Sequence, residues 1–421
     1  MCLGALILAA AAGLGIHQIV HWLVAKQATP EKPLSAEEVI RTSLAILTLT
    51  GAVLAGVYAY RKQRIAESDA HRADDSQLAE RYTTASEQLG HTTPAVRLAG
   101  VYAMARLADD WTEQRQVCVD VLCAYLRMPY EPDRTSDQHK EGEREVRQTI
   151  IRVIGDHLRG HPVGATPSWS DCSFDFTRAT FDGVDFSQCL FHNTVSFSDA
   201  IFCGDASMFS KAVFSGDMVS FHGAEFNDGN VFFDGAEFRG GRVYFTLVKF
   251  TGALVLFVGA KFSGGLTGVH FDSTTFGGGA VNFDGAVFGS AEGTFRVADF
   301  CGSKVSFKGT EFRSGGVTFK YAKFRSGVVT FDSAEFVGAT VAFGNTEFSG
   351  STVSFNEAKF RSGKITFGVH PDLTLEDEYI AGAQPLKSAV FSGGSVTFDG
   401  AECRGAEMDW GPFSRPPGCG G

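Results

Sequence analysis

At 421 residues the chain is long enough for two or three domains. A net charge of −11 excludes a nucleic-acid-binding surface as its main business, and the 28 Asp plus Glu against 19 Lys plus Arg from residue 161 onward place most of the acidity there. Phenylalanine is over-used, 38 against 9 Tyr and 4 Trp, with 49 Gly. A core dominated by one aromatic type points to one packing solution used many times. The nine cysteines are scattered without a CxxC pair, which fits reduced thiols in a cytoplasmic domain better than a disulfide framework.

Two apolar segments open the chain. Leu3 to Ala25 and Thr42 to Tyr60 carry no formal charge over 23 and 19 residues, and at about 1.5 Å per residue each can cross roughly 30 Å of hydrocarbon. Arg61, Lys62 and Arg64 follow the second span directly, which favours a cytoplasmic location for what comes next. No basic region precedes the first segment, so a signal peptide is the weaker reading. His17 and His21 share a helix face inside it; polar groups there mark a proton or metal site, or simply face the second helix or lie near the membrane interface, which is the plainer reading. Residues 1–64 are thus expected as two transmembrane helices with both ends inside.

Residues 65–162 read as an α-helical connector. AVRLAGVYAMARLADD and RQVCVDVLCAYLRMPYEP place apolar residues at helical spacing, and Pro129 stops the second. REVRQTIIRVIGDHLRG gives one more amphipathic helix. His157 and His161 stand four apart, but Gly160 ends the helix between them and no metal pair is expected.

Beyond that point the sequence repeats. VSFNEAKFRSGK (353–364) follows VAFGNTEFSGST, VTFDSAEFVGAT and VTFKYAKFRSGV, all in the frame V-x-F-x-x-A-x-F-x-x-G-x. Phenylalanines stand five apart from Phe176 to Phe191, then alternate five and seven from Phe209 to Phe262. A gap of nine leads to Phe271 before the alternation resumes. A small apolar residue such as Ala179, Val184, Ala224 or Ala358 usually sits two positions earlier.

These units, TFDGVDFSQCLF (180–191) above all, resemble the pentapeptide-repeat family, and the FxxAxF units resemble its Phe-rich branch. The resemblance implies a mainly β chain over 166–410: a right-handed quadrilateral β-helix with both the small residue and the Phe pointing inward. Family members normally use about 20 residues per coil, whereas five plus seven twice over gives 24 here. Charge supplies an independent check on that figure. In a 24-residue coil the outward residues stack as 225/249, 237/261, 299/323, 323/347 and 335/359, all opposite in sign, with 311/335 the one like pair. Strands about 4.8 Å apart favour the first kind and penalise the second. Residues 411–421 read as a disordered tail.

No HExxH, Walker A or G-x-S-x-G motif occurs, so no catalytic residue, metal site or cofactor is expected. The period breaks once, over 368–385, where Asp372, Glu376, Asp377 and Glu378, with Tyr379 beside them, have no basic neighbour. The 19 residues from Phe367 to Leu386 are expected to replace at least part of one side of a coil. In repeat proteins such departures often carry the function, so these five residues are the candidate partner-binding site. The sequence therefore points to a non-catalytic, membrane-anchored scaffold for an unknown protein partner, with its repeats in the cytoplasm and self-association left open. The resemblance also brings a DNA-mimicking regulator of a topoisomerase as the alternative, against which stand the anchor and the mixed-sign ladders. An enzyme using the acidic loop is the weakest reading.

Overall fold

The computed structural model describes residues 2–27, 36–160, 168–252, 254–263, 268–289, 293–302, 304–313, 315–368 and 387–419. The chain divides into two compact units, Met1–Glu80 and Arg81–Gly421. The first holds α1 (Cys2–Gln27) and most of α2 (Ala36–Leu89). Among the described residues one helix is long and apolar enough to cross a membrane: the stretch Ile40–Leu89 of α2, with a mean hydropathy of 1.7 in its best window and none of that window buried. α1 follows the other expected span as a helix, so the expected pair reduces to one candidate. His17 Nδ1 lies 3.4 Å from Ser43 Oγ on α2, as the plainer reading of that histidine requires.

In the second unit the chain from Phe174 to Asp409 runs as short strands, each paired in parallel with the strand one coil later. Met218–Ser220, Glu225–Phe226, Asn230–Phe232 and Glu237–Phe238 belong to four different ladders, and Arg242–Tyr244 returns to the first. A coil is therefore four-sided. Its length follows from the register: Lys249 sits beside Glu225 and Lys261 beside Glu237, each 24 residues on. Where the sequence has its nine-residue gap, Phe250 meets Phe276 and Phe262 meets Phe288, so two extra residues are absorbed at a corner without loss of register.

Corners of two kinds alternate, which is why the phenylalanine spacing alternates. The tight kind is F-x-x-A: the Ala200 N–H donates to the Phe197 carbonyl at 3.1 Å, and that of Ala212 to Phe209 at 3.0 Å. The residue before the alanine takes a left-handed backbone whether or not it is glycine. Gly223 has φ 67°, but Val297 has 59° and Tyr321 has 61°. Such a conformation in a non-glycine residue costs roughly 1–2 kcal/mol. It persists because the rings on either side fix the chain path.

Those rings form the core. Phe197, Phe221, Phe245, Phe271, Phe295, Phe319, Phe343 and Phe367 make one column with centroids 4.6–4.9 Å apart and planes within 11° of parallel. The spacing is that of the backbone ladder, so stacking and strand pairing reinforce each other. Neighbouring columns meet edge to face, as Phe319 and Phe331 do at 5.6 Å and 89°. Every one of the column rings from Phe197 to Phe367 is at most 1 % exposed.

Both ends of the stack are covered, which protects edge strands that would otherwise present unpaired backbone groups. At the start, α4 (Arg115–Leu126) and α5 (Glu143–Leu158) lie over the first coil, with α3 (Pro94–Asp110) packed on both. Gln148 Nε2 donates to the carbonyls of Asp182 (2.6 Å) and Gly183 (2.9 Å), and Gln116 exchanges two hydrogen bonds with the backbone of Ser173 at 2.9 and 2.8 Å. At the other end Trp410, the last residue of the expected β-helix, packs on Phe367 and Phe398, and Phe413, within the expected tail, meets Phe367 at 5.2 Å. The last open rings need an apolar cover, and these two aromatics supply it. A second correction lies here. Cys403, which replaces phenylalanine at the end of its column, is disulfide-bonded to Cys419, with Cα atoms 4.6 Å apart, whereas the expectation was reduced thiols throughout.

Candidate functional site

Asp372, Glu376, Asp377, Glu378 and Tyr379 lie outside the described residues. What the structure does define is how their segment leaves and rejoins the coil. The chain departs after Gly368, and on return the Lys387 N–H donates to Asn345 Oδ1 at 2.5 Å while Asn345 N–H donates to the Lys387 carbonyl at 2.9 Å. The Ala389 N–H then donates to the Phe367 carbonyl at 2.7 Å, as the Ala200 N–H does to Phe197 and the Ala212 N–H to Phe209. Across this place vertical partners such as Asn356 and Asp399 are 43 residues apart rather than 24, so 19 residues are added. No side is replaced, contrary to expectation. The insertion opens within one tight corner, between Phe367 and Ala389, and the ladders continue past it from Phe348 to Phe391 and from Phe360 to Cys403.

The outer faces carry the charge ladders that the sequence predicts. Lys249 Nζ is 2.7 Å from Glu225, Lys261 Nζ 3.1 Å from Glu237 and Lys359 Nζ 2.9 Å from Glu335. The Lys249 hydrogen bond holds the Glu225 carboxyl below its ordinary range, and Lys359 does the same for Glu335. The like pair Glu311 and Glu335 is in register as expected, and each carboxylate turns to a cation of its own: Arg313 at 2.6 Å for Glu311, Lys359 for Glu335. Along these faces positive and negative charge alternate, which no regular polyanionic surface would show.

The helical cap holds the second candidate. Glu143, at the first position of α5, accepts from Arg97 Nη2 and from the Tyr125 hydroxyl, both at 3.2 Å. Burial, with the neighbouring Glu143 charge adding to it, pushes the Tyr125 phenol up to about 12, so it stays a donor at neutral pH. At the other end of α5, His157 stacks on Trp169 at 3.9 Å and places Nε2 3.2 Å from Asp109. Burial there lowers the imidazole pKa most strongly, but the hydrogen bonds to Asp109 and the Val153 carbonyl, with the Asp109 and Asp156 charges, together outweigh it and the net direction is up. His157 is thus part of the joint between cap and coil, while His161 lies outside the described residues. Among the described residues no group of three or more His, Cys, Asp or Glu is placed to hold a metal ion. The sequence reading missed Trp169, Trp410 and Phe413. The signal was there: Trp is rare in this chain, and two of its four copies bracket the repeats.

A four-sided parallel β-solenoid with one inward ring per side, capped at both ends, defines a repeat protein whose regular part offers surfaces and whose irregular parts offer pockets and loops. Residues 176–225 match a family model described as pentapeptide repeats, nine copies, which is the family the repeat units resemble. The columns that begin in the matched segment continue without a break to Phe367. No curated protein gives a significant match to the chain, and neither does any solved structure.

Proposed function

We propose that the protein is a non-catalytic scaffold, tethered to the cell membrane by the apolar stretch of α2, that presents its β-solenoid to a protein partner in the cytoplasm. The observation that carries this reading is the corner insertion between Phe367 and Ala389, past which the ladders continue while 19 residues are added. A regular coil repeats its surface every 24 residues and discriminates poorly between partners; an acidic segment that breaks this degeneracy supplies the specific contact. Asp372, Glu376, Asp377 and Glu378 favour a basic patch on the partner, with Tyr379 as the apolar anchor. Support for the tether comes from the apolar stretch of α2, and for the orientation from Arg61, Lys62 and Arg64 after it. Alternating charge along the faces speaks against a nucleic-acid mimic. Affinity capture from detergent-solubilised membranes with the full chain, compared with a chain lacking 368–385, tests the reading: a partner retained equally by both removes the loop from the account.

A further inference from the structure

The helical cap contains a cavity of about 590 Å3, bounded by the C-terminal end of α2, by α3, by α4 and by the start of α5. That size lies within the roughly 300–1,000 Å3 of sites for small organic molecules. Leu89, Val121 and Met128 give it an apolar wall, while Ser86, Arg97 and Lys140 line it with hydrogen-bond donors. Arg97 is only 9 % exposed. Its Nη atoms are engaged by Glu143 Oε2 at 3.2 Å and by the carbonyls of His91 at 3.1 Å and Thr92 at 2.9 Å. Its Nε has no partner among the described residues, and neither has the buried Ser86 Oγ. A buried donor left unpaired is costly, so such groups ordinarily face an acceptor that completes them. The one carboxylate in the lining, Glu143, already accepts from Arg97 and Tyr125 and leaves the donors on Ser86, Arg97 Nε and Lys140 in excess.

We infer that this cavity binds a small carboxylate with an apolar body, of the arylacetate kind, its oxygens meeting Arg97 Nε, Ser86 Oγ and Lys140 and its ring lying on Leu89, Val121 and Met128. This goes beyond the scaffold reading and does not depend on it, because the cavity belongs to the cap and the loop to a corner at the far end of the columns.

The test uses the full chain in detergent micelles and para-fluorophenylacetate as the probe, followed by fluorine NMR, with empty micelles as the blank. Para-fluorophenylacetamide serves as the uncharged counterpart. The acid is expected to bind saturably with a Kd of about 1 mM or tighter, and about tenfold or more tighter than the amide. Lys140→Gln, at an exposed position, weakens the acid about threefold or more and leaves the amide unchanged. Arg97→Lys keeps a cation beside Glu143 but removes the Nε donor, and has the same selective effect. Equal affinity for acid and amide, a signal matched by empty micelles, or unchanged binding in Lys140→Gln overturns the inference. If Arg97→Lys does not fold, the Lys140→Gln comparison decides alone.

Discussion

Lys249 Nζ lies 2.7 Å from Glu225 Oε1, although 24 residues separate them. The pair exists because the coil returns to the same lateral position after two dodecads, and it would be absent from a coil of any other length. Reversing one charge, Lys249→Glu, should lower the thermal midpoint slightly and in a salt-sensitive way, and the double swap Glu225→Lys with Lys249→Glu should restore it. A double swap no better than the single change would show that the pair is incidental. The pH dependence has a definite sign. Glu225 and Glu335 have lowered folded pKa values, so their contribution is fully present above the unfolded value of about 4.3 and is lost as pH falls through the lower folded one. Lys249→Met should therefore narrow the gap in stability between pH 6 and pH 3.

Phe319 stands between Phe295 and Phe343, 4.9 Å from each, and is fully buried. Phe319→Ala removes a ring from the middle of a column that neighbouring strands cannot close, and should cost about 3–5 kcal/mol. Chemical unfolding of the wild type and the variant measures this; an unchanged midpoint would contradict the column.

Val297 holds φ at 59° with a branched side chain. Val297→Gly should raise stability by about 1 kcal/mol, since relief of the strained backbone exceeds the added freedom of the unfolded chain. A loss of stability would mean that the corner is not strained.

Much of this architecture was legible in the sequence, and for a physical reason: a solenoid repeats one packing solution, so periodicity in Phe and in charge reports contacts directly. The outward residues at 225, 249, 311 and 335 fixed coil length because vertical neighbours must tolerate each other. The places that defied reading are those where the repeat stops. Trp410 and Phe413 close the stack from a segment with no period, and Cys419 reaches back to Cys403 from outside the frame. The insertion looked like a missing side because spacing along the chain cannot tell residues that replace a side from residues that leave a corner and return to it. The cap cleft is built from α2, α3, α4 and α5, whose mutual placement has no signature in any one of them.

Orientation has a redox readout. Cys403 and Cys419 are bonded to each other, and a cytoplasmic environment keeps such thiols reduced. With the repeats in the cytoplasm, acid-trapped cells should yield both thiols open to alkylation after denaturation, and half-exposed Cys301 should resist an impermeant reagent until lysis. An intact bridge in trapped cells, with Cys301 labelled from outside, would place the repeats on the other side of the membrane.

The central claim is that the acidic corner insertion selects the partner. Asp372→Asn, Glu376→Gln, Asp377→Asn and Glu378→Gln together should leave the unfolding transition unchanged, because Phe360, Phe367 and Phe398 carry the adjacent core. Affinity capture of the native partner from solubilised membranes, followed across a salt series, is the measurement. The account predicts that the wild type loses its partner steeply as salt rises, while the neutralised chain binds weakly at every salt concentration. Equal capture and equal salt dependence for the two chains would contradict it and leave the flat faces of the solenoid as the binding surface.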